Sequence, residues 1–455
     1  MKTKIALFTA IFTSLAVFSQ KQWTLKECVD YALENNITIK QNRLNVNLAE
    51  KDVEIAKGNF LPDLGFSNSH RGSFGLSSGV SGVNTSQDRY STNFALGTQG
   101  TIFNGFRNLN SKKQALLNVK GSELDLAKIE NDISLNVVNE YLNVLFAKEN
   151  LAVAKVQAEI SKKQIERAKA QYEGGAIPKG DLLNVESTAA NDIQNVVIQE
   201  NTLSIALLRL SQLLQISSED FAVSDIEVGS PSAALLYDNS SVVYEKALTQ
   251  WPDIERAELN LENADLGIEL AKGAYLPTLT YSANAGTSYF TVFGEPDRRV
   301  IGVDPVTQLP IYESYGFFKQ LDNNLSYGVG LSLNIPIFNR FQTKNRVAKS
   351  TIDKEVSELA LENQKLQLEQ EIESAFLDAK AAAKTYEAAK ISLEAQQEAF
   401  KNAQVSYDYG SMTQFDFDQV RNRLVNAEGA MIRAKYDYVF KTKVLKFYYG
   451  ESIVD

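Results

Sequence analysis

Metal, nucleophilic and acid–base catalysis all need clustered donors, and this sequence spreads them thinly. Its single histidine, His70, falls in a strand or loop, and its single cysteine, Cys28, in a helix-like stretch. No Cys-x-x-Cys and no pair of histidines at helical spacing occurs, so there is no metal ligand set. Walker-type phosphate loops and Gly-x-Ser-x-Gly elbows are absent too, and paired carboxylates lie only along charged helix faces. The reading is a protein that is not an enzyme and has no cofactor. Cys28 cannot close an intramolecular disulfide and reads as a small buried or semi-exposed side chain. Two segments stand out for the order of their residues: Tyr172-Glu173-Gly174-Gly175-Ala176-Ile177-Pro178-Lys179-Gly180-Asp181 and Tyr407-Asp408-Tyr409-Gly410-Ser411-Met412-Thr413-Gln414-Phe415-Asp416. In each, a glycine follows a tyrosine by three and an aspartate follows the glycine by six, as where one helix stops and another starts. The first reading of Asp181 and Asp416 is a helix N-cap, worth about 1 kcal/mol.

Elements of great length must position those turns. Lys2 and Lys4 precede an apolar run from Ile5 to Phe18, which reads as a secretory signal peptide over 1–19 with Val17 and Ser19 before the cut. Its loss takes the formal charge from −10 to −12, against a nucleic-acid or anionic-surface partner. Beyond it no stretch approaches the ~18 apolar residues of a membrane helix. The rest is a duplication. Ala56-Lys57-Gly58-Asn59-Phe60-Leu61-Pro62 recurs 215 residues later as Ala271-Lys272-Gly273-Ala274-Tyr275-Leu276-Pro277, and Ile102-Phe103-Asn104-Gly105-Phe106 recurs 235 later as Ile337-Phe338-Asn339-Arg340-Phe341. The larger offset also relates the two turn segments, so the second half carries about twenty extra residues in one loop, within about 286–324.

Repeat 1 (20–215) is expected to hold a helix over 26–58, two strands within about 64–103 and a long helical hairpin over 108–215; a linker over 216–240 follows. Repeat 2 (241–455) holds a helix over 241–273, two strands within about 278–338 and a hairpin over 343–449. The strands look membrane-bound. From Tyr327 to Ile335 apolar residues alternate with Gly328, Gly330, Ser332 and Asn334, as a tilted strand of ~9–11 residues between lipid and a lumen requires. Leu279, Tyr281, Ala283 and Ala285, and Phe94 and Leu96, repeat this more weakly. Four strands cannot close a barrel, and an open edge in lipid costs several kcal/mol per unpaired group, so copies must combine. The inserted loop, with Asp297, Arg298, Arg299, Tyr312, Phe317 and Phe318, is expected to stay solvated, and contact with surface sugars is its other reading.

Sixty residues of helix reach ~90 Å, too long for a compact fold. Along Ile129, Ile133, Val137, Tyr141 and Val144, and along Leu135, Val138, Leu142 and Leu145, apolar residues form narrow stripes suited to lateral coiled-coil-like packing. The Ala379–Ala383 stretch would let helices approach closely.

This order, duplicated over essentially the whole mature chain, resembles the TolC family of outer membrane efflux proteins. The resemblance implies an α+β membrane protein, a homotrimer whose four strands per chain build a twelve-stranded β-barrel in outer membrane lipid, continued by a long α-helical barrel through the periplasm. It implies an exit duct of a tripartite efflux or type I secretion system, served by a periplasmic adaptor (membrane fusion) protein and an inner membrane pump of RND or ABC type. It places Tyr172, Gly175, Asp181, Tyr407, Gly410, Asp416 and Asp418 at the periplasmic gate where the adaptor docks. Members often carry two acidic residues three apart there; this chain has Asp416 and Gln419 with Asp418 between, which leaves a second acidic ring open. The latch is expected within 172–186 and 407–421. A soluble periplasmic coiled-coil adaptor or scaffold is the alternative, and a duct dedicated to one polypeptide is another reading of the same fold. If three Asp416 carboxylates ring the mouth, Asp416→Ala raises anion relative to cation conductance in planar bilayers; unchanged selectivity would count against the ring.

Overall fold

A computed structural model describes residues 22–78, 84–86, 88–225 and 237–453. The expected signal peptide and residues 226–236 of the linker lie outside them. In chain order the elements are β1 (Gln22–Trp23), α1 (Leu25–Asn35), α2 (Ile37–Gly58), β2 (Asp63–Ser73), β3 (Leu76–Ser78), β4 (Asn84–Ser86), β5 (Arg89–Asn104), α3 (Arg107–Glu173) and α4 (Lys179–Leu214). There follow β6 (Ala222–Val223), α5 (Ser240–Ala247), α6 (Pro252–Gly273), β7 (Thr278–Val292), β8 (Arg298–Val303), β9 (Pro310–Ser314), α7 (Phe317–Asn323), β10 (Ser326–Asn334), α8 (Gln342–Asp408) and α9 (Gln414–Tyr449). The fold is mixed α and β. No described helix is long and apolar enough to cross a membrane.

The first helix of each repeat, expected to be continuous, is broken at equivalent positions by different chemistry. Asn36 takes extended backbone, and its side-chain oxygen accepts the Thr38 N–H at 2.8 Å, so it competes with the helix and starts the next one. In repeat 2 the break falls at Trp251-Pro252, where proline lacks an N–H and disfavours helical backbone before it.

The chain divides into two compact units. One comprises Met1–Asn45, Glu123–Ala257 and Leu361–Asp455. Its main core packs Leu25, Cys28, Val29 and Ala32 of α1 and Leu210 and Leu214 of α4 around Val137, Val138, Tyr141, Leu142, Val144 and Leu145 of α3. Here α3 is buried over a broad arc, not the narrow stripe expected, because residues of α1, α2, α4 and α9 and the parallel β1–β6 pair surround it. The Tyr141 hydroxyl lies 2.7 Å from the Ser224 carbonyl and 3.0 Å from that of Trp23, and burial pushes its pKa up to about 12. Ala379, Ala382 and Ala383 of α8 are buried, the last two in one cluster with Tyr438 of α9.

The other unit comprises Val46–Ser122 and Glu258–Ala360 and holds an antiparallel sheet in the order β10-β7-β5-β2. Its two hairpins share one register: Asp63↔Gln99 and Leu64↔Thr98 in the first recur as Thr278↔Asn334 and Leu279↔Leu333 in the second. The repeats meet where β5 pairs with β7 along nearly their full length. Below that seam Gly105, at φ +68°, sits so close to Gly273 that a Cβ would fall 2.2 Å from the Gly273 carbonyl oxygen. These are the glycines of the two recurring motifs.

The inserted loop is folded rather than free. β8 and β9 form a hairpin in which the Arg298 guanidinium lies 4.1 Å from the centre of the Tyr312 ring, and Glu313 pairs with Arg299 and Lys319. Asp297 accepts hydrogen bonds from Tyr289 and Thr291, both at 2.7 Å, which fastens the hairpin base to β7. The buried Gln320 of α7 accepts the Phe290 N–H and donates to the Phe290 carbonyl, both at 2.9 Å. A side-chain amide thus replaces a strand where β10 ends and leaves β7 with a polar edge to satisfy. Gly105→Ala is expected to destabilise the folded protein by about 1–3 kcal/mol from backbone strain alone, and by more from the clash. Gly65→Ala, with open space at its Cβ, provides the control in thermal unfolding in detergent.

Candidate functional site

The two hairpin turns are built alike. At the end of α3 the Gly175 N–H bonds the Tyr172 carbonyl at 2.9 Å and the Ala176 N–H bonds that of Gln171 at 2.8 Å. At the end of α8 Gly410 bonds Tyr407 at 3.0 Å and Ser411 bonds Ser406 at 2.9 Å. Both glycines are left-handed, at φ +71° and +72°. This paired closure needs a residue tolerant of positive φ three places after the last well-bonded carbonyl, which explains the Tyr-x-x-Gly spacing.

The aspartates are not the caps. Pro178 and Thr413 occupy the N-cap positions, which puts Asp181 and Asp416 at the third helical residue. Proline has no side-chain acceptor, so Asp181 acts on its helix only as a charge near the positive end. Thr413 accepts the Asp416 N–H at 3.2 Å and donates its hydroxyl to the Asp416 carboxylate at 2.6 Å.

Around Tyr407 the structure assembles a polar group. Its ring stacks on Phe417 with centroids 4.7 Å apart and lies under the Arg167 guanidinium at 5.0 Å, while its hydroxyl bonds Gln414. Gln414 in turn donates to Asp418 at 3.0 Å. Arg167 reaches from α3 to the Asp408 carboxylate and, at 3.2 Å, to the Asp408 carbonyl. Burial holds the Tyr407 phenol above its ordinary pKa; the Arg167 charge opposes this, and Asp418, Asp408 and Asp181 reinforce it. The phenol therefore remains a neutral donor. Tyr172, its counterpart, is largely exposed.

Sequence reasoning missed a second group. Arg421 of α9 is only 2% exposed and donates to Ser161 at 2.7 Å and Gln164 at 3.1 Å, both on α3, and to Asp192 of α4 at 2.8 Å. Ser161 also bonds Asp192. One side chain thereby ties three helices. The available signal was its place between Phe417 and Leu424, an arginine at a position whose spacing belongs to the buried stripe.

In the other unit the register sorts the sheet into two faces. One carries Tyr327, Val329, Leu331 and Leu333 opposite Ala285, Ala283, Tyr281 and Leu279, continued by Leu96 and Phe66. Above this apolar band the same face turns to His70, Tyr90 and Tyr289, with His70 Nδ1 2.6 Å from the Tyr90 hydroxyl. The opposite face is made of Gly328, Asn284, Gly97 and Gly65, Gly330, Ser282 and Gln99, and similar small or polar residues. Val329 stands 88% exposed, and among the described residues nothing covers the band. Among the described residues no group of His, Cys, Asp and Glu is arranged to hold a metal.

A family model described as outer membrane efflux protein matches residues 28–214 and again 243–451. The chain is 22% identical to nodulation protein T of Rhizobium leguminosarum bv. trifolii over 434 residues, covering 94% of this chain and 85% of that protein. It is 23% identical to outer membrane protein TolC of Escherichia coli strain K12 over 458 residues, covering 97% and 84%. Among solved structures it is similar to the outer membrane protein VceC of Vibrio cholerae, with a TM-score of 0.74 at 15% identity covering 94% of this chain and 96% of that one. The open state of the Neisseria gonorrhoeae MtrE outer membrane channel gives 0.69 at 20% identity, covering 94% and 89%.

The two polar groups differ in exposure, which fixes how their loss is felt. Arg421→Met strands the Asp192 carboxylate; with that side chain 22% exposed, the cost in denaturant unfolding falls at the low end of about 3–5 kcal/mol. Arg167→Gln removes a pair whose members are 36% and 49% exposed and costs about 1 kcal/mol or less.

Proposed function

The chain belongs to the outer membrane efflux protein family, and from that premise we propose that three copies close one twelve-stranded β-barrel, continued by an α-helical barrel across the periplasm. The protein is an outer membrane exit duct for efflux. In this reading the chain divides into repeats 20–215 and 241–455 joined by 216–240. An RND- or ABC-type inner membrane pump, joined through a periplasmic adaptor, supplies the energy, since the sequence carries no phosphate-binding loop of its own. The observation that carries the trimer is the four-stranded sheet. It offers an uncovered apolar face and two outer strands, β2 and β10, each with one edge open within the chain. A soluble adaptor has no use for such a face.

The turns are then the periplasmic gate, with Tyr172, Gly175, Asp181, Tyr407, Gly410, Asp416 and Asp418 around its mouth. Opening slides helices past one another, because a packed helix cannot widen a pore by stretching. The exposed Arg167–Asp408 contact and the Tyr407–Gln414–Asp418 chain serve as the releasable latch. The buried Arg421 cluster keeps α9 on the α3–α4 hairpin while they move.

The duplication also sets a register for the seam between copies. The β5–β7 seam inside one chain pairs Arg89 with Val292 and Ala95 with Gly286. Carried across by the two offsets, the same pairing sets Ser332 of one copy opposite Ser69 of the next, and Gly330 opposite Arg71. Cysteines at Ser332 and Ser69 together are expected to link copies into covalent trimers on oxidation in native membranes, read on non-reducing gels. Linking that is stronger between Ser332→Cys and a cysteine at His70, which faces the other way, would overturn this register.

A further inference from the structure

The polar face of the sheet is not evenly charged. Arg71 on β2 stands opposite Ser91, and Arg89 lies two residues before Ser91 on β5, so both arginines belong to the small, polar face and are diagonal neighbours, about 7–8 Å apart in such pairs. The rows beneath them hold Ser69, Asn93 and Ser288, then Ser67, Ala95 and Gly286. Among the described residues of the four paired strands, Asp63 at the opposite end is the acidic residue on this face, and its two carboxylate oxygens bond the Gln99 N–H at 2.7 Å and the Gln99 side chain at 3.2 Å. Asp88, next to Arg89 at the strand top, turns its carboxylate to the Gly75 N–H at 3.2 Å. Arg89 lies 5.9 Å from the centre of the Phe290 ring, which also stands on this face. The upper end of the polar face is therefore cationic within a chain that carries a net −10.

We propose that Arg71 and Arg89 form an anion-binding collar inside the lumen at its extracellular end, taking solutes that bear carboxylate or phosphate oxygens. The inference rests on the trimeric barrel with its small, polar face inward. Three copies then bring six guanidinium groups into one ring. Guanidinium presents a planar fork of donors that matches two oxygens of one anion. Along the wall of a pore such a ring concentrates anions, as charged rings in pores do. The seam register places Gly330 of the next copy opposite Arg71, so no side chain crowds the guanidinium from that strand. The insertion does not occlude the collar, since Asp297 is bound to Tyr289 and Thr291, whose side chains stand on the opposite, apolar-band face of β7. With carboxylates at the turns, the duct would draw cations at its entrance and hold anions at its exit.

The test is single-channel recording of the full-length protein in planar bilayers, with inorganic phosphate added to one side at a time. Phosphate on the extracellular side is expected to lower the current, and in R71Q/R89Q the concentration that halves it rises about tenfold or more. Lysines at both positions keep the ring's charge and restore part of the effect, as a merely structural role would not. An equal response in wild type and R71Q/R89Q, or no response in wild type, overturns the collar. Asn93→Cys reports the underlying reading separately. Modification by a charged, water-soluble methanethiosulfonate changes its current if the polar face lines the lumen, whereas Val329→Cys stays silent. If Asn93→Cys is silent the barrel orientation fails; if it responds while R71Q/R89Q binds phosphate as wild type does, the collar alone fails.

Discussion

An unpaired backbone edge in lipid is the constraint from which the rest follows. Each unsatisfied N–H or carbonyl in hydrocarbon costs several kcal/mol, so a sheet of four strands with free edges on β2 and β10 has no stable existence there as a single copy. The same sheet has no use for water, because its apolar band from Leu279 to Tyr327 would be left bare. The closure among copies proposed above would answer both demands at once. The seam within the chain shows the means. The two repeats already pair through β5 and β7, and each glycine where they cross, Gly105 and Gly273, is placed so that nothing larger fits.

Where one edge cannot be closed by a strand, the chain supplies a substitute. β7 runs six residues beyond the last β10 pair at Gly286, and there Gln320 presents an amide to Phe290 while Asn324 donates to the Ser288 carbonyl at 2.7 Å. The insertion that made the repeats unequal is thus tolerated because it lies beyond the shared rows and satisfies the backbone it exposes. Nothing in its composition signals this. Its Gly294, Pro296, Pro305 and Pro310 read as a solvated loop, and the hairpin inside it depends on Asp297, Arg298 and Glu313 finding partners that alternation patterns do not register.

What was legible in the residues was whatever repeats or alternates. Constant offsets and helix-ending glycines place α3, α4, α8 and α9 as two like hairpins, and the nine-residue alternation in β10 marks its two faces. Less legible were features set by single side chains. Asn36 and Pro252 break equivalent helices for unrelated reasons, so comparison of the halves shows no shared motif there. Asp181 and Asp416 look like caps by position, yet Pro178 and Thr413 hold the cap sites, because the helix after each glycine starts three residues earlier than an aspartate cap would require.

Arg421 shows why the polar core of the turns escaped sequence reasoning. A charged residue among apolar neighbours at helical spacing reads as exposed, since burying it costs more than most pairs return. It is buried because Ser161, Gln164 and Asp192 arrive from two other helices, and such an arrangement is invisible until the helices are placed. Well-packed hydrophobic residues in place of the whole cluster, its carboxylate included, would hold three helices about as firmly, so strength alone does not account for an arginine. Direction does. An apolar contact tolerates sliding, whereas a guanidinium bonded to named oxygens on two partners fixes α9 in register and rotation on α3 and α4. The proposed gate, opening by sliding, would need some joints that slip and one that does not, and the contrast in burial between Arg421 and Arg167 fits that division within a single chain.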